Sequence, residues 1–352
     1  MASEREPPVP PASPTSKETG AVVGEAMRTR LARLPTLDVC VDGQLLLSRV
    51  RAQLQTLLSA APAEVVVRLL PDPKRAGSVL TVADVLGAVE ETLRSRPVRC
   101  LVAVADAALL LPHLAPVARR IAASPVFFKV VYVPIYAGSN QVLHEMDLSY
   151  DRDDVLTLVS MMRQHGVAVA TRLHVAFPTE SHVDFTMTLD LINMCNFAEI
   201  ETDVFKPEAD SRAARLRQLP ADVVRQRFLV ACALVQQLAR EKIAPGTDIP
   251  CLIVRADDGS LLGRSDRFRD VHLPPGRVSD ADVGRTVHVK VASDDGGLRP
   301  IKALPVAKAA ASRMASMLPE TAAMQAAATV VLVAGLAAAA ALAARVVRAR
   351  PS

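Results

Sequence analysis

Short apolar, β-branched runs recur along this chain between longer stretches with helical spacing, a pattern that predicts parallel strands joined by helices. The clearest part runs from Val126 to Phe185. Residues 126–133 form an apolar run bounded by Pro134 and read as a buried strand. A turn at Ala137-Gly138-Ser139-Asn140 follows, where Ser139 can cap a short helix carrying Val142, Leu143 and Met146. The acidic cluster Asp151, Asp153 and Asp154 opens a second helix, because carboxylates offset the positive end of the helix dipole. Val155, Leu158, Val159 and Met162 give that helix an apolar face, and Gly166 stands where a C-terminal cap belongs. Residues 167–175 are the next strand, and Ala-Phe-Pro-Thr-Glu-Ser leads into a helix containing Val183, Met187 and Leu191.

The same grammar extends upstream. Residues 37–41 are a weaker strand, and 45–58 a helix with Leu47, Val50, Leu54 and Leu58 on one face. A strand at 65–70 ends at Pro71 and Pro73; a helix at 82–93, a strand at 100–104 and a helix at 107–122 interrupted by Pro112 and Pro116 follow. A last strand lies near 199–205. The fold class is therefore α/β: a partial parallel (βα) barrel, incomplete or closed, with function expected in loops beyond the C-terminal ends of its strands. Residues 219–240 read as a long amphipathic helix, with Pro220 at its start and Val224, Phe228, Leu234 and Leu238 inward. Residues 243–304 change to short strands, with a hairpin around Asp257-Asp258-Gly259 and a half-exposed strand at 286–291.

Composition sharpens this picture at three points. Half of the 352 residues are hydrophobic but only 3% are aromatic, none of them Trp, so the core must be mostly Ala, Val and Leu. The net charge of +4 is too slight to argue nucleic-acid binding by itself. Five cysteines stand at 40, 100, 195, 232 and 251; without a CxxC pair and odd in number, they argue for a reducing compartment rather than a disulfide framework. Cys40, Cys195 and Cys232 read as small strand or core residues, and the seven scattered histidines form no zinc pattern. His174 reads as a structural histidine near the barrel mouth.

The chain ends carry their own signals. Residues 1–30 are expected as a disordered tail: the first twenty hold five prolines and no apolar run. The arginine-bearing stretch from Ala26 resembles a weak transit peptide, against which Glu4, Glu6, Glu18 and Glu25 count. The barrel then occupies 31–216, a connecting helix 217–242, a small β domain 243–304 and an Ala, Ser and Met-rich linker 305–325. Residues 326–344 are uncharged and precede Arg345, Arg348 and Arg350. As a helix they would span roughly 28 Å, enough for a hydrocarbon core, and so read as a transmembrane tail anchor with the body in the cytosol.

The central segment resembles the radical-SAM methylthiotransferases that modify tRNA. Their motif H-L-P-V-Q-S-G-S-N corresponds to Tyr132 through Asn140, and their D-F-I-V-G-F-P-G-E-T-E-E-D-F to Arg172 through Phe185. Gly138, Ser139, Asn140, Phe177, Pro178, Glu180, Asp184 and Phe185 match. The family's His, Gln and Ser become Tyr132, Tyr136 and Ala137, its Asp becomes Arg172, and two motif glycines become Ala176 and Thr179. A later P-R-P-G-T-P motif has lost its Arg-Pro-Gly core, with Glu208 in place of the arginine. Residues 243–304 resemble the RNA-binding TRAM module, and the layout matches the tail-anchored threonylcarbamoyladenosine tRNA methylthiotransferases. The resemblance covers roughly residues 45 to 345.

It implies a family reaction, 2-methylthiolation of threonylcarbamoyladenosine beside the anticodon, run on [4Fe–4S] clusters and S-adenosylmethionine. Three thiolates of a CxxxCxxC after the first barrel strand hold one cluster in the family. Only Cys40 lies in that region here, so no cofactor is expected in this chain. Gly138, Ser139 and Asn140, with Glu180, are a possible ligand cradle or, equally, a tight strand-to-helix turn. Arg264, Arg267 and Arg269 are an RNA contact or a solvated face, in a module whose nine Lys/Arg balance nine Asp. Three accounts remain: a noncatalytic relative binding tRNA or a protein at a membrane, an active enzyme whose cluster-binding part lies outside this sequence, and a membrane-anchored scaffold with no RNA role. The resemblance favours the endoplasmic reticulum over the mitochondrial outer membrane, with which the alanine-rich, basic-ended tail is also compatible.

Overall fold

The structure is a computed structural model, and it describes residues 27–41, 47–71, 81–238, 243–294 and 301–303. The expected linker and the 326–344 segment lie outside the described residues. Among those that are described, no helix is long and apolar enough to cross a membrane.

A short helix, α1 (Met27–Arg33), leads into strand β1 (Thr36–Val41), and an α/β alternation follows. It runs α2 (Leu47–Leu58), β2 (Glu64–Pro71), α3 (Val82–Leu93), β3 (Arg99–Val104), α4 (Leu114–Ala123) and β4 (Phe127–Tyr132). Then come α5 (Asn140–Glu145), α6 (Arg152–Gln164), β5 (Ala168–Val175), α7 (His182–Met194), β6 (Glu199–Val204) and α8 (Ala221–Gln237). The six strands pair in sequence order, all parallel, so the sheet is an open run from β1 to β6. The weakly signalled first strand is real: Leu37 and Val39 are buried against the helical layer.

Local chemistry fixes the helix starts. Thr81, Asp151 and Ser181 each form a capping box with an Asp three residues on, which satisfies amides the helix cannot pair itself. Gly166 takes a left-handed backbone (φ +77°) just past α6, as a C-terminal cap requires. Two expectations shift. On α8 the most buried seam is Arg227, Ala231 and Val235, while Val224, Phe228, Leu234 and Leu238 are half-buried beside it. On α7 Val183 is exposed, and Asp184, Phe185, Thr188, Leu191 and Ile192 face inward.

Strands β7 (Asp248–Arg255), β8 (Leu261–Ser265), β9 (Asp270–His272), β10 (Thr286–Ser293) and β11 (Ile301–Ala303) close into a small barrel. The hairpin expected at residues 257–259 joins β7 to β8. Ile249, Cys251, Val271, Val289, Val291 and Ile301 fill its interior.

The two faces of the parallel sheet differ in chemistry. Alternate residues such as Val65, Val67, Val102 and Val131 join the core beneath the helices. Their neighbours Val66, Leu101, Ala103, Phe128, Val130 and Ala170 line the other, concave face. That face is covered by Met27 and Leu31 of α1 and by Leu252, Val254 and Phe268 of the small barrel. Residues 27–30, expected in the disordered tail, thus belong to a packed helix.

Candidate functional site

An α/β barrel builds its chemistry at the C-terminal ends of its strands; below that level, polar residues along the concave face pair with one another. At the N-terminal end of the strands, the buried Arg264 donates to Glu64 (2.9 Å) and to Asp270, with its guanidinium 4.6 Å from the Phe268 ring. Arg99 pairs with Asp266 at 2.6 Å and lies over Phe128. Higher up, β6 reads Glu199-Ile200-Glu201-Thr202-Asp203, and its period of two puts three carboxylates on the concave side. Glu199 accepts from the Met27 amide (2.6 Å) and from Arg30 (2.9 Å), and Glu201 accepts from the Arg28 amide (2.5 Å). Remote side chains thereby satisfy orphan donors at the start of α1 and complement its dipole. Burial raises the Glu201 carboxyl above its usual range against the opposing pull of the Arg28 amide.

The mouth at the C-terminal ends holds two further ion pairs, Arg68–Asp38 and Arg172–Asp203. Beside the second pair stands an aromatic group: His174 lies 5.2 Å from Tyr136 and 5.9 Å from Phe205, which packs edge-on against Phe177. Burial, with help from Arg172, lowers the His174 pKa to about 4, so the imidazole is neutral at pH 7. Tyr136 and Ala176 hold left-handed backbones, φ +70° and +64°.

The possible cradle residues are engaged inside the chain. Gly138 donates its amide to Thr188 Oγ1 at 3.0 Å. A Cβ on Gly138 would stand 2.6 Å from the Thr188 Cα, so the glycine is required by the close approach of α7. Ser139 occupies the N-cap position of α5 without capping it, and its hydroxyl donates instead to Asp184 at 2.5 Å. Asn140 Oδ1 accepts from the Arg152 amide. Glu180 is buried at 2% exposure, accepts from the Ala176 amide and from Arg227 (2.6 Å), and leaves Oε1 without a partner. Its carboxyl is raised by burial, which the Arg227 hydrogen bond opposes. Gly138, Ser139 and Asn140 thus tie the β4–α5 turn to α7 and to the start of α6, and Glu180 ties the approach to α7 to α8.

The three arginines do not form one surface. Arg264 is buried in its ion pairs, Arg269 is held by Asp294 through two hydrogen bonds (2.8 and 2.7 Å), and Arg267 is half-buried on the turn between β8 and β9. Sequence reading missed Arg227 as the partner of Glu180, and α1 with its two carboxylate acceptors. The acid–apolar alternation of β6 was the available signal for the latter.

The cysteines do not fit a shared cluster. Cys40 is exposed on β1, Cys100 faces the helical layer, Cys195 ends α7, Cys232 lies on α8 and Cys251 is inside the small barrel. Burial pushes the thiols of Cys100 and Cys251 up to about 12 and that of Cys195 to about 11, far from the thiolate a cluster needs. Only five positions, 42–46, separate β1 from α2, fewer than a CxxxCxxC occupies. Among the described residues no three His, Cys, Asp or Glu side chains gather as metal ligands.

No protein-family model matches the chain. Its curated relatives are tRNA methylthiotransferases. It is 28% identical over 203 residues to the threonylcarbamoyladenosine tRNA methylthiotransferase of Drosophila pseudoobscura pseudoobscura, covering 56% of this chain and 36% of the relative. It is 32% identical over 184 residues to a tRNA-2-methylthio-N(6)-dimethylallyladenosine synthase of Mycobacterium marinum, covering 51% and 33%. The same synthase of Bifidobacterium longum subsp. infantis is 29% identical over 174 residues, covering 48% and 34%. The chain spans about a third of the length of these relatives. Similar solved structures include the Escherichia coli coproporphyrinogen III oxidase HemN, a radical SAM enzyme (TM-score 0.40, 13% identity, 61% of this chain and 55% of that one). Streptococcus suis SuiB bound to S-adenosylmethionine gives TM-score 0.39 and 10% identity, covering 58% and 45%.

Proposed function

We propose that this chain is a divergent relative of the tRNA methylthiotransferases that binds tRNA without itself carrying the methylthiolation chemistry. The carrying observation is the filled concave face. Where a barrel enzyme would keep a chamber, Met27, Leu31 and Phe268 pack against the strands and every cysteine lies on a different element. Similarity to relatives that modify tRNA supports tRNA as the partner. The small barrel, read as TRAM-like, is the part suited to RNA, and the apolar 326–344 segment supports a membrane-anchored protein, at the endoplasmic reticulum by preference. A second reading, an active enzyme completed by a cluster-binding segment outside this sequence, is favoured by the one-third coverage of the relatives.

Anaerobic reconstitution with iron and sulfide separates the two readings. The chain as given is expected to take up no stoichiometric cluster and to cleave no S-adenosylmethionine on reduction. A cluster that does so overturns the noncatalytic reading. Filter binding of unmodified tRNA in low salt tests the partner, and absence of binding there removes the RNA role in favour of a scaffold. For the anchor, a fluorescent protein fused to residues 326–352 should reach an intracellular membrane; a diffuse cytosolic signal sinks it.

A further inference from the structure

The small barrel has two outer faces in different surroundings. Strands β7 and β8 turn Leu252, Val254 and Arg264 toward the α/β layer, where all three are buried. Strands β10, β11 and β9 turn the other outer face to solvent. Along β10, His288 and Lys290 are exposed while Val289 and Val291 fill the interior. Lys302 of β11 is exposed between the buried Ile301 and Ala303, and His272 is exposed on β9. Lys302 stands opposite Ser293 of β10 on one side and His272 of β9 on the other. Strand spacing and rise then separate the Lys290 and Lys302 backbones by roughly 10 Å, so the two long side chains can reach neighbouring phosphates of one strand.

The barrel's charges divide in the same way. Arg255 pairs with Asp280, Arg264 with Glu64 and Asp270, and Arg269 with Asp294, while Arg285 stands 3.9 Å from Asp282. Among the described residues, Arg277, Lys290 and Lys302 have no carboxylate within ion-pair distance. Arg277, on the loop from β9 to β10, donates to the His288 carbonyl at 2.6 Å, which holds its charge beside β10. Asp248 borders this face in register with Lys290, but its carboxylate contacts His288 at 3.2 Å. Cations left without counter-charges on one surface attract a polyanion, and each phosphate they neutralise releases condensed counterions. Phe, Tyr and Trp, the rings that stack unpaired bases, are absent from the exposed positions of these three strands. A charged face without a stacking platform suits a backbone recognised by shape.

We infer that the outer face of β10, β11 and β9 binds the sugar–phosphate backbone of a tRNA stem, through Lys290 and Lys302 with Arg277 at its edge. The inference rests on the tRNA reading above and deepens it, because the contact is with paired rather than unpaired RNA. It also moves RNA contact away from Arg264 and Arg269, whose guanidiniums are held by carboxylates.

The test uses the full chain in detergent, with a fluorescein-labelled RNA hairpin as probe. Unlabelled tRNA, single-stranded oligoadenylate and phosphatidylserine-doped micelles are the competitors. The hairpin should bind, be displaced by tRNA, and resist oligoadenylate at equal nucleotide concentration. Lys290→Ala/Lys302→Ala should weaken hairpin binding about tenfold and flatten the slope of log affinity against log salt by about 1.8. Both lysines are exposed, so the melting temperature should not change, and Lys290→Arg/Lys302→Arg should keep most of the affinity. Arg255→Ala, on the same barrel but paired with Asp280, should leave binding unchanged; an equal loss there would reduce the face to diffuse charge and overturn it. If the double Ala variant binds tRNA as the parent does, this face is wrong while the tRNA reading stands. If the parent binds neither hairpin nor tRNA, both fall. A parent that binds tRNA but not the hairpin, or equal competition by oligoadenylate, overturns the stem. Micelles that displace the hairpin as well as tRNA does would assign the face to lipid headgroups and overturn the RNA.

Discussion

The helix-covered side of the parallel sheet and its concave side treat the same motifs differently. On the helical side, residues that match the methylthiotransferase pattern keep structural tasks. Gly138 admits α7, Ser139 binds Asp184, and Glu180 holds Arg227 on α8. On the concave side, residues that depart from the pattern carry the charge and the aromatic bulk: Tyr132 donates to Glu201, and Arg172 pairs with Asp203. Gly138, Ser139 and Glu180 tie helices to the sheet, and Tyr132 and Arg172 add polar contacts on its other face. On the proposed reading, similarity near 30% identity reports a retained framework more than a retained site.

The largest effect should come from cutting the helical side at its buried ion pair. Arg227→Met strands Glu180 without a counter-charge and should cost about 3–5 kcal/mol in urea unfolding. A loss under about 1 kcal/mol would mean that Glu180 is wet. On the concave side, Met27→Ala removes a side chain 1% exposed and should cost about 2–4 kcal/mol. No change there would detach α1 from the face and reopen the chamber. Gly138→Ala, with its Cβ forced against the α7 backbone, should cost about 1–3 kcal/mol; a silent substitution would favour a ligand cradle over a tight turn.

Two smaller tests sharpen the mouth. The folded His174 pKa of about 4 lies below the unfolded 6.5. The unfolded chain then binds more protons, and stability falls as pH drops from about 6.5 toward 4. Glu180 and Glu201, both raised by burial, act the other way, so the parent should be compared with His174→Leu. The parent should lose about 2 kcal/mol of stability relative to the variant between pH 7 and pH 4.5. A parallel pH profile would place His174 in water. Finally, Ala176→Gly restores the motif glycine at a left-handed backbone and should stabilise the fold by about 1 kcal/mol, read as a rise in melting temperature.

The sequence made the helical side legible because that side is periodic. Apolar spacing, the acidic cluster at Asp151, Asp153 and Asp154, and Gly166 marked most of the six strand–helix units to within a few residues. The concave side was not legible, because its partners lie far apart in the chain. α1 is seven residues long, has no acidic residue in its first turn and offers only Met27 and Leu31 to the core. Nothing local announces a helix whose caps are Glu199 and Glu201. Arg264 illustrates the same limit: three arginines within six residues look like one basic patch until Glu64, two hundred residues away, claims one of them.

The capping of α1 by β6 has a consequence in time. The Met27 amide and its Glu199 acceptor are 172 residues apart. A seven-residue helix is marginal by itself, so α1 gains lasting order only when that carboxylate exists. At synthesis rates of about 5–20 residues per second, Glu199 is made roughly 9–35 seconds after Met27. Helix α1 is thus translated well before the strand that caps it and settles only after that strand, and the concave face stays open on the ribosome until β6 arrives.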